Sequence, residues 1–251
     1  MSKKKARWRK LDNAAKLYSA ASNKKDTRVF RFYCELKEKV DSDVLQEALN
    51  QTIETFPTFL MVLRKGFFWH YLEPCNLRPI VKEEYKEPCS RLYIRDKKTL
   101  LFEVTYYKKR INFEVFHVLT DGTGATEFLK ELVKNYLYLA HKEEGLEQVA
   151  LLPEDMTVQD QEDDSFLKYY SKNQKRPKKR KLNAFQIRRK KKDGNHLHVH
   201  ESVVSVQAVL KRSRELGVSM TIFLTALFMM AINEEMSKMQ KKKSGRVNGS
   251  G

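Results

Sequence analysis

Apolar and polar residues alternate along "TRVFRFYCELKE", with Phe30, Phe32, Cys34 and Leu36 on one face and Arg31 on the other, a period of two that predicts a β-strand. The period then lengthens. In "VDSDVLQEALNQTIETFP" Leu45, Ala48, Leu49, Thr52, Ile53 and Phe56 recur at helical spacing, Asp41 or Ser42 is placed to cap the helix, and Pro57 to stop it. "TFLMVLRKGFFWHYLE" predicts a hairpin turning at Lys65 and Gly66. A second hairpin follows a proline-punctuated connector, with strands over 99–107 and 111–118. Its turn, "KKR", is a weak signal because it lacks Gly or Asn.

"TEFLKELVKNYLYLAHKEE" predicts a helix whose buried stripe is Phe128, Leu129, Leu132, Val133, Tyr136 and Leu137. An acidic and then basic stretch from Glu154 to Lys192 reads as a long connection. "LHVHESVVSV" resumes as a strand, and "QAVLKRSRELG" as a helix ended by Gly217. "SMTIFLTALFMMAINEEM" reads as a buried helix capped by Ser219. Strands and helices in this order imply an α+β fold, a mixed sheet packed by helices, and not regular βαβ winding. The expected organisation is a basic tail over 1–10, a first subdomain over 11–152, and a charged connector over 153–193. The beginning of an incomplete second subdomain follows over 194–238, then a disordered tail over 239–251.

Charge changes the picture in two places. The net charge of +17 is concentrated in "MSKKKARWRK" and in the run from Lys172 to Lys192, and such runs attract anionic partners, a membrane surface or nucleic acid. No helix-turn-helix or RNA-binding pattern accompanies them, so any nucleic-acid contact is expected to be weak, salt-sensitive and unspecific. Cys34, Cys75 and Cys89 are odd in number and lack CxxC spacing, against a disulfide framework or a zinc site. His196, His198 and His200 share a strand face, but Glu201 has the opposite parity and no further ligand is near, so no metal is expected. The longest apolar run, from Met220 to Ile232, is too short to span a bilayer, and a cytoplasmic protein is expected.

The candidate chemistry lies in "INFEVFHVLTDGTGATEFLKELV". His117 falls on the apolar face of Ile111, Phe113 and Val115, where a histidine is ordinarily a packed core residue. Yet strand ends and helix-leading loops are where reactive side chains are displayed, and a partly buried neutral imidazole can serve as a general base. Asp121 would hold the loop or the ring. Gly122 would permit a turn with positive φ or a close backbone approach.

These residues resemble a known group. "HVLTDG" is similar to the HxxxDG motif of the CoA-dependent acyltransferase superfamily, which includes chloramphenicol acetyltransferase and the condensation domains of peptide synthetases. "LDNAAKLYSAASN", "RVFRFYCELKEKVD", "RKGFFWHYLEP" and "RINFEVFHVLTDGTGATEFLKEL" resemble the bacterial alcohol acetyltransferase-like branch in the same order. The resemblance covers most of 7–140 and resumes from "AFQIRRKKKDG" to "FLTALFMMAI". It implies a chloramphenicol acetyltransferase-like N-terminal subdomain with the start of a second half. It also implies His117 as general base, acyl-CoA as co-substrate with no bound cofactor, and a small alcohol or amine as acceptor. Asp121 would pair with an arginine of an early strand, Arg31 or alternatively Arg28. The D-F-G-W-G-like segment of the family's second half has no counterpart here, so a missing C-terminal half or a second chain would complete the tunnel. A non-catalytic interaction module of the same fold is the alternative.

Overall fold

The computed structural model describes residues 8–23, 26–67, 69–95, 97–144 and 199–236. The chain divides into two compact units, Met1–Lys172 and Asn173–Gly251.

The first unit is built on a four-stranded mixed sheet. β2 (Val29–Glu35) pairs antiparallel with β7 (Arg110–Phe116), β7 antiparallel with β6 (Phe102–Tyr107), and β6 parallel with β5 (Lys82–Glu83). The mixed sheet with its helices makes the fold α+β, as the pattern predicts. The β6–β7 turn is two residues long, and Lys108 takes a positive φ of 52°, a conformation normally left to Gly or Asn. That substitution is why the turn is faint in the sequence.

Parity gives this sheet two unlike faces. Phe30, Phe32, Phe102, Val104, Ile111, Phe113 and Val115 lie on one face, and Arg31, Glu103, Thr105, Asn112 and Glu114 on the other. The apolar face carries α2 (Ser42–Thr55) and α3 (Gly122–Ala140). Phe128 of α3 stacks on Phe113 at 4.6 Å and on Phe59 at 4.4 Å between ring centroids, and Leu45, Ala48, Leu49 and Leu132 close the layer with no exposed surface. Asp41 caps α2 by accepting from the amides of Asp43 and Val44, and the Asp41 amide donates to Tyr136 Oη at 2.9 Å. One aspartate thus ties the start of α2 to α3. A 3₁₀ turn at Pro57–Phe59 ends the α2 segment, as Pro57 implies.

A second sheet has the order β1 (Arg9–Lys10), β4 (His70–Pro74), β3 (Met61–Lys65) and is antiparallel throughout. Residues 9 and 10 therefore belong to the fold and not to a tail over 1–10. Between them and β2 runs α1 (Asn13–Ala21), which the hydrophobic pattern does not predict. Its apolar stripe is short, and only Ala15 is buried; Asp12 supplies the cap, accepting from the Ala15 amide at 2.6 Å.

In the second unit α4 (Val206–Glu215) is capped by Ser205, and Gly217, at φ 66°, ends it in the left-handed conformation. α5 (Met220–Glu235) starts at the expected cap, Ser219, and its axis is bent 88° from that of α4. The expected burial of α5 is not found: Ile222, Phe228, Met229 and Met230 are all more than half exposed. The described residues of this unit offer only α4 to pack against, which cannot cover a helix that is apolar all round. The expected strand over 197–206 is also absent among the described residues, which run irregularly from 199 to 205. No single described helix is long and apolar enough to cross a membrane. The basic run from Lys172 to Lys192, His196 and His198 lie outside the described residues.

Candidate active site

β7 ends at Phe116, and His117 begins the turn that follows. The His117 amide donates to Arg28 O at 2.9 Å, extending the β2–β7 pairing by one bond and fixing the backbone where it leaves the sheet. The half-buried imidazole lies between two rings. It stacks on Tyr18 of α1 at 4.0 Å and 17° between planes, and meets Phe30 of β2 at 4.8 Å and 54°. Among the described residues no hydrogen bond reaches either ring nitrogen. Position is therefore set by ring packing, with neither ring nitrogen engaged among the described residues.

The loop beyond His117 is tied at both ends. Leu119 N donates to Phe116 O at 2.8 Å, and Arg9 Nη2 donates to Leu119 O at 3.4 Å. Asp121 caps α3, accepting from the Gly124 amide at 3.0 Å, so the helix begins at Gly122, a turn earlier than its apolar stripe suggests. Phe32, Gly122, Thr123, Thr126 and Glu127 line an open cleft at this first turn.

Two expectations for these residues need correction. Arg31 does not pair with Asp121. Its parity sends it to the polar face of the sheet, where it binds Glu114 at 2.8 Å and Glu84 at 2.5 Å. Arg28 is also engaged elsewhere, by Asp26 at 2.9 Å. Asp121 acts as a helix cap instead, which serves the same end of holding the loop. Gly122, for its part, has no positive φ, and a Cβ there would meet only Phe32 Cζ at an ordinary 4.0 Å. The close approach is at Gly124, where a Cβ would run into the Thr120 hydroxyl.

The polar face carries two groups of paired charges: Lys86 on Glu103, and beside it Glu114, Arg31, Glu84 and Arg110 in alternation, with Arg110 Nη2 3.2 Å from Glu84 Oε2. Burial works against the Arg31 charge, but hydrogen bonds and attraction from Glu84 and Glu114 outweigh it and hold the guanidinium above its ordinary pKa. Glu114 Oε1 also accepts from the Cys89 amide at 2.6 Å, so the network fastens the segment after β5 onto the sheet. Burial, followed by the Glu114 charge, pushes the Cys89 thiol up, away from nucleophilic use. Cys34 and Cys75 are likewise raised, chiefly by burial.

Tyr18 is the site residue that hydrophobic periodicity misses. Asp12 followed by the alanine-rich "NAAKLYSAA" is the available signal, a capped helix start without a strong apolar stripe.

No protein-family model matches the chain, and no curated protein sequence is similar to it. Among solved structures, the chain is similar to the starter condensation domain of the rhizomide synthetase RzmA at 13% identity and a TM-score of 0.46, over 58% of this chain and 40% of that one. It is similar to polyketide synthase associated protein 5 from Mycobacterium tuberculosis at 16% identity and a TM-score of 0.42, over 58% and 36%. The first condensation domain of the calcium-dependent antibiotic synthetase, in complex with a substrate analogue, gives 15% and 0.44, over 59% and 40%. The chain thus spans about two fifths or less of the length of these structures.

Proposed function

We propose that the chain is the histidine-bearing part of an acyltransferase that moves an acyl group from a CoA or carrier thioester to an alcohol or amine, with His117 as general base. The observation that carries this reading is His117 itself. It stands just past a strand end, gripped by Tyr18 and Phe30, with both ring nitrogens unengaged among the described residues. A histidine kept only for packing commonly anchors at least one nitrogen in a hydrogen bond. The HVLTDG spacing, with Asp121 capping the helix that follows, adds support through its resemblance to HxxxDG.

The chemistry asks little more of this residue. A ring nitrogen takes the proton from the acceptor's O–H or N–H as its heavy atom bonds to the thioester carbonyl carbon. The carbonyl becomes a tetrahedral oxyanion, the C–S bond breaks as that anion collapses, and the imidazolium returns its proton to the leaving thiolate. No acyl-enzyme forms, and charge ends balanced. Placement of the donor by a second half or a second chain is part of the proposal, since a single histidine does not hold a thioester. The assay is thioester consumption in the presence of an alcohol panel, parent against His117→Ala.

The alternative, a non-catalytic module, draws on the same ring packing: stacking on Tyr18 also satisfies a histidine retained for structure. Rates unchanged by His117→Ala favour it.

A further inference from the structure

We infer that the β3–β4 hairpin tip is a docking surface for an anionic lipid bilayer. The Gly66 amide donates to Trp69 O at 2.7 Å and closes a turn that puts Phe67 at its crown, 99% exposed. Trp69, at 59%, follows it. A Cβ at Gly66 would lie 3.8 Å from both Trp69 Nε1 and Tyr71 Cε1, so the indole and the phenol ring flank the bare glycine. Trp8, 55% exposed, meets Tyr71 edge-on at 6.2 Å between ring centroids. Trp8, Tyr71 and Trp69 thus form one aromatic ridge across β1 and β4 leading to Phe67.

Cations border this ridge. Lys10 and Arg64 are the register partners of Tyr71 on its two sides, and Lys65 is the partner of His70. The charges of Lys65 and Arg95 both act on His70, next to the tip. Lys10, Arg64, Lys65 and Arg95 thus bring positive charge to the ridge and tip, and Glu73 of β4 is engaged by Arg64 at 2.9 Å. Exposed aromatics at a turn, ringed by positive charge, match a bilayer interface. The rings suit the boundary between headgroup and acyl chain, and the cations suit anionic headgroups. A folded neighbour would need a complementary concave surface; a bilayer accepts a convex tip as it stands.

Both tryptophans of the chain lie on this ridge, so intrinsic fluorescence reports it directly. The full chain is titrated with phosphatidylcholine vesicles and with vesicles containing phosphatidylserine, with and without brominated lipid. A blue shift and bromine quenching confined to phosphatidylserine vesicles are expected, with Phe67→Ser weakening partition roughly tenfold or more while leaving the circular dichroism spectrum unchanged. Lys65→Glu weakens partition as well. Three results overturn the inference. One is partition unaffected by Phe67→Ser, which assigns binding to the basic runs alone. The others are quenching by a single-stranded oligonucleotide without vesicle binding, and a concentration-dependent blue shift without lipid, which marks self-association.

Discussion

Arg31 and Glu114 are register partners across β2 and β7, and Arg31 Nε and Nη2 both reach Glu114 Oε1 at 2.8 Å. Glu114 has a second register partner, Glu103 on β6, so two carboxylates sit side by side on the polar face. Like charges placed so are destabilising unless each has a cation, and Arg31 and Lys86 supply one apiece.

Removing the arginine leaves Glu114, only 2% exposed, without its countercharge. Arg31→Ala is expected to cost about 3–5 kcal/mol in chemical denaturation. Asp121→Ala should cost about 1 kcal/mol, the loss of a helix cap. In double-mutant cycles Arg31 and Glu114 couple strongly, whereas Arg31 and Asp121 add within about 0.5 kcal/mol. Strong coupling of Arg31 to Asp121 contradicts this assignment.

The two glycines of the first turn of α3 behave oppositely. Gly122→Ala meets only Phe32 Cζ, at ordinary contact distance, and leaves the melting temperature unchanged or slightly raised. Gly124→Ala drives a methyl group against the Thr120 hydroxyl and costs about 1–3 kcal/mol. Thr120→Ala in the same chain recovers most of that loss, a rescue that a backbone requirement at Gly124 would not show.

Stability falls on the acid side in part through His70. Burial first, then the charges of Lys65 and Arg95, hold its pKa below the ordinary value of 6.5. The unfolded chain therefore binds the proton at a higher pH than the folded one. Stability from this residue is full above about 6.5 and is lost as pH falls through that value toward the folded pKa. His70→Gln flattens this part of the melting temperature against pH profile. An unchanged slope contradicts it.

Much of the fold is legible in the sequence because its signals are local. Asp41, Pro57, Gly217 and Ser219 bound their helices as their chemistry dictates, and parity alone separates Phe30 and Phe32 from Arg31. What escapes the sequence is long-range or compensated. Lys108 holds a turn that glycine would have advertised. α1 has a cap without an amphipathic stripe, and its Tyr18 reaches His117 across about a hundred residues of sequence. The resemblance implies an Arg31–Asp121 pairing, yet the same alternation that puts Arg31 on the face opposite Phe32 turns it from the helix face. In α5 the apolar run does form a helix, but burial depends on partners that a run of residues does not specify.

As general base, His117 would remove a proton from the acceptor in thioester acyl transfer. The direct measurement is release of free thiol from an acyl-CoA in the presence of an alcohol panel, comparing the parent chain with His117→Ala and with Tyr18→Phe. General-base removal is expected to lower the rate by a factor on the order of 10²–10⁴, with Tyr18→Phe, which keeps the stacked ring, close to the parent. Equal rates for the parent and His117→Ala with every alcohol would contradict a general-base role for His117.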